Sequence, residues 1–230
     1  AMRLTTPGGL PRTLTQRIEH APANRSNAAP FLANLALSGP LTLKKHQDMR
    51  HDDADLNKAV GLIGTPDEVR NAFALARRGD IPERHAVSLT PLSNSDPTQA
   101  PPGGSLAYVY LPGVAVDARE GWSPALKDRT MESIKSHLSE FYDGLDAEVG
   151  RFVETARERE KRLNVTNGCV THVDFGALRS GVHRPATGFG GPKPPFPGFL
   201  IGGAGAHPGG GVSGIAGRIA ANRALRELKK

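Results

Sequence analysis

The sequence predicts an α+β fold: a mostly antiparallel sheet with packed helices, closed by a strand, a glycine loop and a helix. Three observations carry this. Four short apolar runs, separated by turn-forming residues, accompany only one early helix, which favours antiparallel pairing with helices on one face. Met131, Ile134, Leu138 and Phe141 recur at spacings of three and four, the mark of an amphipathic helix. Near the end, Phe199-Leu-Ile201 runs into a glycine-rich turn and then into a segment with small residues on one side, Gly217, Ala220, Ala221 and Ala224.

In chain order, residues 1–29 are rich in Pro, Thr and Asn and read as a frayed or loosely helical opening segment. Phe31 to Leu43 reads as a strand broken by Ser38-Gly-Pro40, and Lys44 to Asn57 as a charged loop. Val60 to Ile63 is a second apolar run. Thr65-Pro-Asp-Glu68 is a helix start, with Thr as N-cap, Pro at the first position and Glu at the third. Val69, Phe73 and Ala76 give that helix its apolar side, and Gly79 ends it. His85 to Leu92 and Gly104 to Leu111 read as strands. Asp128 to Gly144 reads as a helix, and a second is expected from Asp146 to Leu163 with Val149, Phe152 and Val153 inward. Thr166 to Pro197 is a Gly/Pro-rich crossover, with Cys169 placed in a strand beside Val170 and Val173. The closing helix is expected to start at about Val212. The expected division is 1–165 for substrate binding and 166–230 to complete a cofactor domain.

Composition narrows the function. The chain has 230 residues with 38% hydrophobic and 5% aromatic content, 27 Gly and 19 Pro, which is lean for a self-sufficient core and rich in irregular structure. The net charge of +6 gathers toward the end, in Arg218, Arg223, Arg226, Lys229 and Lys230, with no aromatic after Phe199. That pattern argues against nucleic acid, whose binding wants exposed aromatics among the cations. One cysteine excludes an intrachain disulfide and a multi-cysteine zinc site, and fits a cytoplasmic location. No run approaches the ~18 apolar residues of a membrane span, so only peripheral membrane contact is open.

The glycine turn carries the chemistry. Glycines let backbone approach a flat or phosphorylated ligand, and a helix start offers unpaired N–H groups. The expected cofactor residues are Gly202, Gly203, Gly210, Gly211 and Val212, with the N–H groups of the last three facing the carbonyl edge of a flavin. Gly209-Gly-Gly-Val-Ser-Gly214 fits G-x-G-x-x-G. That fingerprint needs a βαβ unit and an acidic residue about 20 positions on, for which Lys230 leaves no room. The turn therefore reads as a closing half-site.

These residues also carry a resemblance. Gly198 to Gly214, with His207-Pro-Gly-Gly-Gly-Val212 at its centre, followed by Gly217-Arg218 and Ala220-Ala221, resembles the C-terminal signature of phytoene-desaturase-like FAD oxidoreductases. Asn167 to Asp174, Arg184-Pro185 and Pro195 sit in the order that family uses. Ala36 to Pro40, Gly64 to Glu68 and Asp96 to Gly103 resemble its substrate-domain segments, so the match covers roughly Pro30 to Leu228. The resemblance implies FAD as cofactor, an apolar and for instance isoprenoid substrate, and desaturation by hydride removal to the flavin. The glycine fingerprint with which such enzymes begin has no counterpart here. The chain is thus expected to be a C-terminal half that pairs with an N-terminal FAD-binding half, binds FAD weakly or not at all alone, and self-associates through bared apolar surface. The alternatives are a non-catalytic ligand- or partner-binding module and a small enzyme using another ligand at the turn.

No catalytic residue is assigned. His207 is expected to shape the turn before Pro208 or to line the substrate side. Arg184 is expected to meet a carboxylate or cofactor group, or to be solvated. His46 and His51, with Asp48, Asp52, Asp53 and Asp55, are the best metal-like cluster, but their spacing fits a solvated loop better and no metal is expected.

Overall fold

The computed structural model describes residues 11–45, 50–176, 178–190 and 198–229. They divide into two compact units, one from residues 26–163 and one from 11–25 together with 164–229. The opening segment thus clusters with the C-terminal part of the chain. It carries helix α1 (Arg12–Glu19), whose Leu14 packs with Ala186 and Phe189.

The larger unit is built on a five-stranded antiparallel sheet. Its strands are β1 (Ala28–Leu37), β3 (Gly61–Ile63), β4 (Val87–Pro91), β5 (Ser105–Ala115) and β7 (Glu148–Glu154), in the order β3-β4-β5-β1-β7. A separate pair joins β2 (Thr42–Leu43) to β6 (Tyr142–Asp143). Alternation decides which side is core. Phe31, Ala33, Leu35 and Leu37 of β1 are buried with Ala107, Val109 and Leu111 of β5 and Val87 and Leu89 of β4. Against them packs α4 (Pro124–Leu138) through Met131, Ile134 and Leu138. The residues between, among them Leu32, Asn34, Tyr108, Tyr110, Ser88 and Thr90, are half-buried, and Leu62 and Phe152 are exposed. Trp122 stacks on Phe31 at 5.7 Å between ring centroids, and its indole N–H donates to the carbonyls of Ala115 and Val116.

Helix α2 (Pro66–Arg78) starts as its sequence dictates. Glu68 N–H donates to Thr65 Oγ1 at 3.2 Å and Thr65 N–H to the Glu68 carboxylate at 2.6 Å, a closed capping box. Gly79 ends it with φ +81°, where a Cβ would lie 2.9 Å from the Arg119 backbone nitrogen. Its buried side is Ala72 and Ala76, whereas Val69 is exposed.

Three expectations for this unit are corrected. Residues 148–154 form strand β7, and the stretch expected as one helix is helical only in a 3-10 turn ending at Ala147 and in α5 (Ala156–Leu163). Gly150 weakens a helix, while an unpaired edge of β1 offers a full ladder of hydrogen bonds. Val153 packs on the core as expected, but Val149 and Phe152 are exposed. Second, α4 starts at Pro124, capped by Ser123, whose hydroxyl accepts from Leu126 N–H at 3.1 Å, and it ends at Leu138 rather than Gly144. Third, Leu92–Ser95 is a short helix, α3, so the strand expected to reach Leu92 stops at Pro91.

Buried charge is confined to a few places. Glu154, 2% exposed, holds Arg159, 1% exposed, at 3.0 Å and Arg162 at 2.6 Å, and Arg159 also donates to the Pro30 carbonyl. Lys135 reaches Glu148 at 2.7 Å, and Arg151 reaches Glu132 at 2.6 Å, linking α4 to β7. His85 and His137 are buried too. Arg84 Nη2 donates to His137 Nε2 at 2.8 Å. Burial, aided by His137, pushes the His85 pKa down to about 4.

Two outcomes are expected. Glu154→Gln leaves the Arg159 cation buried without a countercharge and destabilises this unit by about 3–5 kcal/mol, read from urea unfolding. His85 stays neutral in the fold while the unfolded ring protonates near its ordinary 6.5. Stability therefore falls as pH drops from 6.5 toward about 4, by about 3 kcal/mol in all, then levels off. A His85 ring resonance that titrates near 6.5 in the folded protein would refute this.

Candidate functional site

The smaller unit contains the glycine turn. Helix α6 (Ile215–Leu228) begins at Ile215, three residues later than expected, behind Gly214 at φ +67° with no side-chain cap. Phe199–Ile201 pairs with no strand among the described residues, and Cys169 follows a 3-10 turn at Thr166–Gly168 rather than lying in a strand. Both expected strands were apolar runs. An apolar run becomes a strand only where a neighbouring edge takes its hydrogen bonds.

The turn and the start of α6 enclose a cavity of about 390 Å³, lined by Val170, Thr171, Gly203, Ala204 and residues 209–217. Gly203, Gly210, Gly211 and Val212, four of the five expected cofactor residues, therefore share one wall system. Gly202 does not line it. A Cβ on Gly202 would meet Gly217 Cα at 3.7 Å and Ala220 Cβ at 3.8 Å, so this glycine packs against α6. At Gly203, Gly211, Gly214 and Gly217 a Cβ would meet nothing within 4 Å, which leaves a bare backbone surface. The N–H groups of Gly210, Gly211 and Val212 donate to no acceptor among the described residues. Val212 is fully exposed and has φ +57°, a strained conformation for a β-branched residue.

What fixes this wall is Arg184. Its side chain is completely buried and donates to four carbonyls: Ala204 at 2.9 Å, Arg179 at 3.0 Å, Thr171 at 2.6 Å and Val173 at 2.8 Å. The guanidinium lies 4.3 Å from the centre of the Phe175 ring. Burial pushes its pKa down, opposed by Cys169 and Asp174. Among the described residues no carboxylate pairs with it, so neither the carboxylate nor the solvated reading holds. Gly209, at φ +129°, approaches Phe175 so closely that a Cβ would sit 3.2 Å from the ring. Sequence reasoning singled out Arg184 without finding this role, because its partners are backbone atoms.

Asp174 ties the opening segment in, accepting from the N–H groups of Asn24 at 2.6 Å and Arg25 at 3.2 Å. Asn167 donates to the Ala23 carbonyl at 2.8 Å. The Cys169 thiol is buried, 3.4 Å from Thr171 Oγ1. His207 precedes Pro208 through a cis peptide, and its buried Nδ1 has no partner among the described residues. A second cavity of about 490 Å³ adjoins the turn at Gly202 and has mainly apolar walls, including Ile18, Phe189, Phe199, Leu200 and Ile201.

Of the metal-like cluster, His46 and Asp48 lie outside the described residues. His51, Asp52, Asp53 and Asp55 are exposed, with Asp52 paired to Arg50 and Asp55 capping a turn at Asn57. Among the described residues no group of three acidic, His or Cys side chains is placed to hold a metal, and no helix is long and apolar enough to cross a membrane.

No family model matches the chain. It is 28% identical over 232 aligned positions to pyridine nucleotide-disulfide oxidoreductase domain-containing protein 2 of Rattus norvegicus, and 29% identical to the protein of that name from Mus musculus. Each alignment takes in 97% of this chain and 38% of the relative, so the chain spans well under half the length of the curated relatives it matches.

Proposed function

We propose that this chain forms part of an FAD-dependent oxidoreductase and that the glycine turn is its contact with the flavin. The observation that carries the reading is the row of N–H groups at Gly210, Gly211 and Val212, without partners among the described residues, on the bare glycine wall of the 390 Å³ cavity. Donors in that arrangement suit a flat ring with carbonyl oxygens, and they favour negative charge on it. The oxidoreductase name of the rat and mouse relatives supports the same class. A bound flavin supplies two-electron chemistry by accepting hydride. The chain's own residues bind and orient: Arg184 holds Ala204 and Thr171 in place, and Gly209 and Gly210 keep side chains out of the approach.

For substrate we propose an apolar molecule. The 490 Å³ cavity supports this, because its apolar walls run into the turn through Ile201 and Gly202. The resemblance to phytoene desaturases adds the isoprenoid class as its narrower form. We propose further that the diphosphate and adenosine part of FAD is held by residues outside this sequence. The chain alone then binds flavin only weakly.

The test is a titration of the isotope-labelled chain with riboflavin and with FAD, followed by amide NMR. Saturable shifts are expected at Gly203, Gly210, Gly211, Val212 and Gly217, with affinity of about millimolar order. Gly210→Val is expected to abolish them, because its side chain enters the turn next to Ala204. Shifts absent from these amides, or unchanged by the substitution, would remove the flavin reading.

A further inference from the structure

Charge is divided unevenly between the two units. Among the described residues, the larger unit sets seventeen Lys and Arg side chains against nineteen carboxylates, and every ion pair lies within it. The smaller unit sets nine against three, the carboxylates being Glu19, Asp174 and Glu227. Four of those nine cations lie on or just beyond α6: Arg218, Arg223, Arg226 and Lys229. None of the four meets a carboxylate among the described residues, and Arg226 donates to the Asn222 carbonyl at 3.2 Å. A surplus of this kind, gathered in one unit, points to a polyanionic partner.

Helix α6 uses little of its surface inside the unit, since Ala216 is its one buried residue. Its outward side carries two adjoining stripes. Gly217, Ala221, Leu225 and Leu228 follow one another at spacings of four, four and three. Arg218, Asn222, Arg226 and Lys229 do the same one position on. All eight are exposed, Leu225 at 56% and Leu228 at 83%. Arg218 lies in the first turn, at the positive end of the helix dipole, where a cation is disfavoured. Stabilisation of the helix ends therefore does not account for the cationic stripe.

We propose that this side of α6 docks on the surface of an anionic lipid bilayer. Leu225 and Leu228 enter the boundary between headgroups and acyl chains, and Arg218, Arg226 and Lys229 meet the anionic headgroups. A bilayer offers negative charge and an apolar phase side by side, as the two stripes require. A nucleic acid would leave the leucines in water. A second copy would set one cationic stripe against another, with Glu227 the sole carboxylate of each helix. The contact is peripheral, and among the described residues no helix is long and apolar enough to cross a membrane. The docking side spans residues 218–229 and does not rest on the flavin reading.

The experiment sediments the full chain with vesicles of equal parts phosphatidylserine and phosphatidylcholine, and with vesicles of phosphatidylcholine alone. Binding is expected to the first and not to the second, and is expected to weaken as salt is raised. Arg218→Glu with Lys229→Glu is expected to lower binding to the anionic vesicles by about tenfold or more, and so is Leu225→Ser with Leu228→Ser. All four side chains are exposed, and an amide spectrum unchanged outside α6 checks that each variant keeps its fold. Arg77→Glu with Lys161→Glu, at two exposed cations of the larger unit, alters the net charge equally and is expected to leave binding as it was. The proposal is overturned if the anionic vesicles leave the chain in solution, if phosphatidylcholine alone binds as tightly, or if the leucine substitutions change nothing. It is overturned too if the larger-unit pair weakens binding as much as the α6 pair. Poly-glutamate binding as tightly as the anionic vesicles would assign the face to an acidic protein and overturn it as well.

Discussion

One guanidinium, bonded only to carbonyl oxygens, organises the smaller unit. Arg184 joins Thr171 and Val173, Arg179, and Ala204, three stretches of irregular backbone. Backbone without a ladder needs another source of partners, and a five-donor planar cation supplies it. Removing the cation would strand four acceptors at once. At position 209 a Cβ would sit 3.2 Å from the Phe175 ring that this side chain stacks on, tighter than ordinary contact, and φ +129° favours glycine as well. Residues 171 and 204, both fixed by Arg184, are also walls of the cavity, so the shape offered to a ligand follows from this one buried charge.

The larger unit solves its buried charges in the opposite way. Arg159 is met by the carboxylate of Glu154, itself shared with Arg162, as well as by a carbonyl. Here sheet and helix satisfy the backbone, and the ion pair ties the end of β7 and α5 to β1 through Pro30. The histidines are the exception. His137 is tied to Arg84, which also bridges Glu68 and Glu140, while the buried His85 ring has no partner among the described residues.

Much of the fold was legible in the sequence where local chemistry and packing agree. Thr65-Pro-Asp-Glu68 gave both ends of a capping box, and Met131, Ile134 and Leu138 marked the helix side that meets the sheet. The α+β class and the antiparallel sheet followed from the same alternation that buries Phe31, Ala33 and Leu35. Failures came where tertiary context decides. Residues 148–154 carry apolar spacing that fits either period, and the free edge of β1 settled the matter. Phe199–Ile201 has the composition of a strand but pairs with no edge among the described residues. The glycine turn was located from its residues alone, since bare backbone has a composition. The role of Arg184 left no such trace, because its partners are backbone oxygens, and nothing marked His85, whose ring has no partner among the described residues.

The chain's single tryptophan gives the two units unequal visibility. Trp122 is stacked on Phe31 and bonded to the end of β5, deep in the larger unit's architecture. Its emission therefore follows the melting of residues 26–163. An emission-monitored unfolding curve of this protein reports directly on the surroundings of Trp122 within residues 26–163.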